Sequence, residues 1–443
     1  MTPAPFTSAL TAPLFGDAEA SALLSDDAFI GHMVAVESAL VLACAKVGLV
    51  GQDAARLVQD HLAKAQVPPE ALGKGMASAG VPVPALVAAL RAELGADGSA
   101  LHWGATSQDI VDCAHVLQWR DVLHLQENRL LRLLDMLHRA SDAHAATLMA
   151  GRTRSQIATP ITLGLRVATW AQPLIALEAE IPELRAHLLR VQFGGASGAA
   201  SAVGDRAHAL TDALAEALDL HTAPAWHGDR TGPQRLGAWL VRLSAALGKM
   251  ARDLIVSGRS EIAEMRAGSG GGSSTMPQKS NPVSAEALVT LAQYSASLQP
   301  LLAQAAQPLE ERDGAVWALE WLALPQMAVC ASAGLRHATE LFDSFVADAT
   351  RMAARLDAGN GSIMAETASF ALARHMSRAE ATAHVTRALG QARTQDQTLA
   401  EVLRLDPELG KLEDWADCLN PLRVLPAAEA MRERILRQRA RSR

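Results

Sequence analysis

The chain has 443 residues, with 40 Lys and Arg against 47 Asp and Glu and a formal net charge of -7. That length suggests two or three domains around a large apolar core and excludes a disulfide-stapled miniature scaffold or a disordered tail. Net acidity argues against nucleic acid as the main partner, because phosphate neutralisation needs clustered cations. Aromatic residues make up only 4% of the chain, with one Tyr and seven Phe. Packing therefore falls to Ala, Leu and Val, which favours an all-α fold over sheets. Cys44, Cys113, Cys330 and Cys418 are far apart with no C-x-x-C pair, so neither a disulfide framework nor a zinc knuckle is indicated. No Lys or Arg precedes Lys46, unlike a secretory or transit leader, and no uninterrupted apolar run approaches a membrane span. A cytoplasmic protein with no membrane partner is expected.

In chain order, residues 1–110 carry frequent punctuation (Gly31, Gly48, Gly51, Pro68, Pro69, Pro82, Pro84), which predicts several short helices in a first domain. Residues 111–356 read as a second domain, a bundle of long helices. From Asp121, the residues Leu123, Leu130, Leu134 and Leu137 keep to one helical stripe, widened by Leu131 and Leu133. The clearest periodicity is Leu236, Leu240, Leu243, Leu247, Met250 and Leu254, whose gaps of four and three make a seam for near-parallel helices. Leu291, Leu298 and Leu302 continue the theme after Pro282, and residues 322–356 predict another long helical stretch after the loop around Asp313. So apolar a seam in an acidic chain predicts an oligomer. After Leu356, the run Asp357-Ala358-Gly359-Asn360-Gly361-Ser362 stops the helix, and residues 357–443 form a small third domain of shorter segments. The arginines from Arg432 to Arg443 read as the solvated end of a last helix.

Three segments carry chemistry. The most unusual is Gly268-Ser269-Gly270-Gly271-Gly272-Ser273-Ser274-Thr275-Met276-Pro277-Gln278-Lys279-Ser280-Asn281-Pro282. Its glycines give a mobile backbone rich in N–H donors, and Lys279 and Asn281 add a cation and an amide, chemistry suited to closing over an anion. The others are His102-Trp103-Gly104-Ala105-Thr106-Ser107-Gln108-Asp109 and Gly151-Arg152-Thr153-Arg154-Ser155-Gln156-Ile157-Ala158-Thr159-Pro160. Taken alone, the first reads equally as a helix start and the second as a connector. The pairs His138/His144 and His221/His227 lack a third ligand, and neither a dinucleotide fingerprint nor a Walker pattern occurs, so no metal and no cofactor is expected.

Together the three segments resemble the conserved regions of the fumarase/aspartase superfamily, and the likeness covers residues from about 100 to 320. The resemblance implies a three-domain fold around a central long-helix bundle, assembled as a homotetramer whose active sites are shared between subunits. It also implies that Ser273 is the catalytic proton donor or base. Substrate contacts fall by the same resemblance on His102, Thr106, Ser107, Arg154, Gln156, Thr159, Ser274, Met276, Lys279, Asn281 and Arg312. Glu286 occupies the place of the family's carboxylate partner and would orient Arg154.

One position departs from the family pattern. Most of these lyases have a proton-transferring histidine where this chain has Arg154. A guanidinium stays protonated and cannot shuttle protons, so elimination of water or an amine, both poor leaving groups, becomes doubtful. A carboxylate needs no such help, since it leaves or attacks as a stable anion. The resemblance is accordingly nearest the bacterial cycloisomerase branch acting on 3-carboxy-cis,cis-muconate, in which a tethered carboxylate attacks its own double bond. The segment Glu311-Arg312-Asp313-Gly314-Ala315, followed by Trp317 and Trp321, points the same way. A small polycarboxylate substrate would be held by Lys279, Arg154 and Arg312. Alternatives are a fumarate-releasing lyase of the adenylosuccinate or argininosuccinate lyase kind, and a helical scaffold that has lost catalysis.

Overall fold

The computed structural model describes residues 5–268, 270–272 and 275–441. The chain is predominantly helical, as composition predicts, and the strands are confined to three two-stranded antiparallel pairs among the described residues. It divides into two compact units, one of residues 1–130, 177–248 and 287–337, the other of residues 131–176, 249–286 and 338–443.

In the first unit the Asp26–Lys46 helix organises the core. Ser25 caps it by accepting from the Ala28 N–H, Asp26 and Asp27 stand in the first turn, and Lys46 stands in the last, so both ends complement the helix dipole. Ile30, Met33, Leu40, Val41 and Cys44 are buried along it with Leu86, Leu90, Leu101, Ile110, Leu210 and Leu214. By length and composition this helix and Gly314–Asp343 could each cross a bilayer, but about half of the apolar stretch of each is buried within the fold.

The predicted seam is buried throughout, from Leu236 to Leu254, and lies on the Thr231–Ser257 helix. Leu123, Leu130, Leu134 and Leu137 are likewise buried, on a helix that begins at Ser107, well before Asp121, and runs to Ala143. Val283–Ala305 starts directly after Pro282, as expected. The stretch predicted over 322–356 is not continuous. Gly314–Asp343 ends, Val346–Ala347 forms a short strand, and a new helix runs from Ala349 to Asp357. The reason is local: Asp348 caps the new helix by accepting from the Arg351 N–H at 2.9 Å, while Val346 pairs with Arg266.

In the second unit a hairpin of Leu148–Thr153 and Gln156–Thr162 turns at Arg154 and Ser155, both with positive φ (49° and 66°), the backbone that a tight two-residue hairpin turn demands. A separate core gathers Ile363, Met364, Leu372, Val385, Leu399, Leu403 and Trp415 with Ala150. The Leu425–Arg441 helix is less solvated than predicted. Arg432 is buried and bonds Asp142 and Glu429, and Arg439 reaches Asp135 at 2.6 Å.

Candidate functional site

Each unit carries part of the chemistry marked in the sequence. In the first unit, Ser107 opens the Ser107–Ala143 helix and Thr106 stands just before it. Arg312 donates from Nη1 to the Thr106 hydroxyl at 2.6 Å and from Nη2 to the Ala196 carbonyl at 3.3 Å, so two predicted site residues 206 positions apart meet. The arginine is exposed, leaving guanidinium edge free for an anion. Asp313, beside it, accepts from the Leu309 and Ala315 N–H groups, and these bonds hold its carboxyl below the usual range.

What keeps Thr106 in place is Asp109. Its two oxygens accept from the N–H groups of Thr106, Gly194 and Gly195, each at 2.9 Å, and Oδ1 lies 2.8 Å from His227 Nε2. Both Asp109 and His227 are buried. One turn on, Asp112 accepts from Arg230 at 2.8 and 3.0 Å and from the Trp317 indole at 3.1 Å, and Arg230 also bonds Glu320 at 2.6 and 2.9 Å. Burial works against charge on Arg230, but the two carboxylates outweigh it and raise the guanidinium further. Glu320 is itself pushed up by burial. In the sequence Asp109 stands only at the end of a segment that reads equally as a helix start, His227 belongs to a pair without a third ligand, and nothing marks Asp112, Arg230 or Glu320. Separations of some 90 to 118 residues carry no local signal.

His102 lies four residues before Thr106, with φ +60°, and its Nδ1 is 2.6 Å from Glu37 Oε1. Sequence reading did not anticipate Glu37. Its mid-helix position among apolar residues is the one clue available.

In the second unit the glycine-rich segment forms a short hairpin in which Gly271–Gly272 pairs with Ser280–Asn281. The glycines are required. Gly268 and Gly270 have positive φ, and a Cβ on Gly270 or Gly271 would overlap the side chain of Ser280 or Val283. Gly268 N–H donates to Ser344 Oγ at 2.9 Å, and the Lys279 N–H to the Met276 carbonyl at 3.0 Å. Met276 and Lys279 are exposed at the hairpin tip, whereas Asn281 lines a cavity of about 400 Å³ with Arg266, Gly268, Gly270 and Ser280. The predicted catalytic Ser273 and its neighbour Ser274 lie outside the described residues.

Arg154 and Gln156 are exposed at the turn of the other hairpin. Below them Arg152 makes a double bond-pair to the buried Glu264 at 2.6 and 2.8 Å, which ties this hairpin to the strand preceding the glycine segment. Thr159 lines a different cavity from Asn281, beside Phe370 and Arg374. Glu286 is exposed in the first turn of Val283–Ala305. Among the described residues, no group of three His, Cys, Asp or Glu is placed to hold a metal ion.

Residues 31–294 match the family described as Lyase. The chain is 36% identical to a 3-carboxy-cis,cis-muconate cycloisomerase of Pseudomonas aeruginosa, covering 94% of this chain and 93% of that one. It is 34% identical to a nitrosuccinate lyase of Streptomyces davaonensis, covering 96% and 94%. Among solved structures, a 3-carboxy-cis,cis-muconate lactonizing enzyme from Pseudomonas putida superposes with a TM-score of 0.90 at 32% identity, covering 98% of this chain and all of that one. The likeness expected from three short segments thus extends over almost the whole length, and the chain belongs to the Lyase family of the fumarase/aspartase superfamily.

Proposed function

We propose that the chain is a 3-carboxy-cis,cis-muconate cycloisomerase, an intramolecular lyase that forms a carboxymuconolactone in protocatechuate breakdown. A substrate carboxylate oxygen attacks an alkene carbon of the same molecule and a C–O bond forms. The displaced π pair moves toward a second carboxylate as an aci-carboxylate, and the carbon beside that carboxylate takes a proton from Ser273. Solvent reprotonates the serine, so the net change is isomerisation and no cofactor is needed. The attacking group is already ionised and tethered, and proximity replaces a general base. Donors are needed only for the charge that builds on the aci-carboxylate.

Arg154 is the observation that carries this reading. A permanently charged guanidinium stands where most relatives of the superfamily need a proton shuttle, which suits a reaction with a single proton transfer. In the same reading Arg154, Lys279 and Arg312 hold the carboxylates, with His102, Thr106, Ser107, Gln156, Thr159, Ser274, Met276 and Asn281 around them and Glu286 orienting Arg154. The enzyme is a cytoplasmic homotetramer with each site assembled from segments of different subunits.

Loss of the diene absorbance of 3-carboxy-cis,cis-muconate on adding enzyme, with the lactone identified as product, is the expected result. An unchanged spectrum refutes the reading. The likeness to a nitrosuccinate lyase favours one second reading, elimination from a substituted succinate, because a leaving group that departs as a stable anion also tolerates Arg154. Fumarate release from such a substrate, without diene consumption, would establish it.

A further inference from the structure

The loop before Thr106 carries His102, whose ring partner Glu37 has no place among the substrate contacts proposed above. His102 has φ +60°, a left-handed conformation that is strained for a residue with a side chain. Arg91 fixes the backbone that leads into this bend, donating to the carbonyls of Gly98 at 3.2 Å and Leu101 at 2.8 Å. Glu37, which meets the His102 ring at 2.6 Å, is wholly buried halfway along the Asp26–Lys46 helix, with the buried Met33, Leu40, Val41 and Cys44 on the same helix. Its second oxygen has no hydrogen-bond partner among the described residues.

A buried carboxylate with one hydrogen-bond-accepting oxygen left bare is costly, and an apolar side chain of similar size would avoid that cost. Stability therefore does not explain Glu37. What it does accomplish is local. It ties down Nδ1 of a ring whose side chain remains 17% accessible, and Nε2 is left as the nitrogen that nothing among the described residues occupies. A carboxylate behind a histidine fixes the ring's orientation and proton placement in the same way at metal and hydrolase sites. A ring already fixed loses less freedom when a ligand arrives.

We propose that Glu37 is a positioning residue of the substrate site, holding His102 by Nδ1 so that Nε2 meets a carboxylate of the substrate beside Thr106 and Arg312. The identity of that carboxylate rests on the cycloisomerase reading, whereas the pairing of the two side chains does not. Steady-state kinetics on 3-carboxy-cis,cis-muconate with His102→Ala, Glu37→Met, the double variant and Glu37→Gln test it. Each of His102→Ala and Glu37→Met should raise KM about tenfold with kcat within about threefold, and the double variant should be no worse than His102→Ala. Glu37→Gln, whose amide oxygen can still accept from Nδ1–H, should recover most of the loss. An unchanged KM in Glu37→Met, or an equal further loss when it is added to His102→Ala, overturns the proposal. Should the parent enzyme leave carboxymuconate untouched, ring ¹⁵N spectra of histidine-labelled protein decide separately. The His102 Nδ1–H signal is expected in the parent and in Glu37→Gln and absent in Glu37→Met. A signal that survives in Glu37→Met overturns the pairing whatever the substrate.

Discussion

Thr106 shows how little of a candidate binding residue's setting is visible beside it in the chain. Its hydroxyl is already engaged by Arg312, and its N–H is held by Asp109, whose carboxylate also gathers Gly194, Gly195 and His227. With four donors satisfied, Asp109 is an organiser of the site and not a group free to exchange protons with substrate. The proton therefore has to come from elsewhere, and Ser273 is the group proposed. Replacing Ser273 with Ala should reduce turnover by at least about a thousandfold, on the scale of removing a nucleophile or a key donor from comparable sites. Light scattering should still give the mass of four chains. Near-normal turnover removes Ser273 from the mechanism, and a monomeric mass for the parent removes the tetramer.

At the scale of elements, the loops and not the helices bear the conformational strain. Gly104, between His102 and Thr106, has φ +72°, and a Cβ there would lie 2.8 Å from Val203 Cγ2, a stiff branched side chain that cannot swing away. Gly104→Ala should therefore lower stability by about 1–3 kcal/mol, read as a fall in urea midpoint. It should also raise KM, because the displaced loop carries both His102 and Thr106. An unchanged midpoint would show that the loop relaxes without cost. The helices followed the pattern of their apolar residues, since the seam from Leu236 to Leu254 is buried throughout. Where the helical run breaks between Asp343 and Ala349, the cause is a cap and a strand pairing, and a strand of two residues leaves no periodicity to detect.

At the scale of the molecule, pH dependence follows from a histidine the reaction does not use. His115 lines an apolar cavity of about 320 Å³ with Phe29, Met33, Met76 and Trp321, and burial lowers its pKa to about 4 from 6.5, against the pull of Asp112. Its folded value lies below its unfolded one, so between those values the unfolded chain binds the extra proton. Stability should therefore be undiminished above pH 6.5 and fall as pH drops from 6.5 to about 4. The loss is at most about 3 kcal/mol, and smaller if water reaches the ring through the cavity. Thermal unfolding should show Tm falling across that window in the parent and falling less in His115→Gln. Parallel curves would assign the acid sensitivity to other groups.

By itself the sequence determined the helical character, the long seams and the family, and it named the candidate site residues. Each of these rests on composition, on a period of a few residues or on a contiguous motif, and all three survive in one dimension. The tertiary structure alone decided that Arg312 clasps Thr106, that Asp109 and His227 brace the loop from behind, that Arg230 joins Asp112 to Glu320, and that Glu37 stands beneath His102. These partners lie between 65 and 206 residues apart. A polar side chain's role depends on which group completes its hydrogen bonds, and chain folding chooses that group without leaving a local trace.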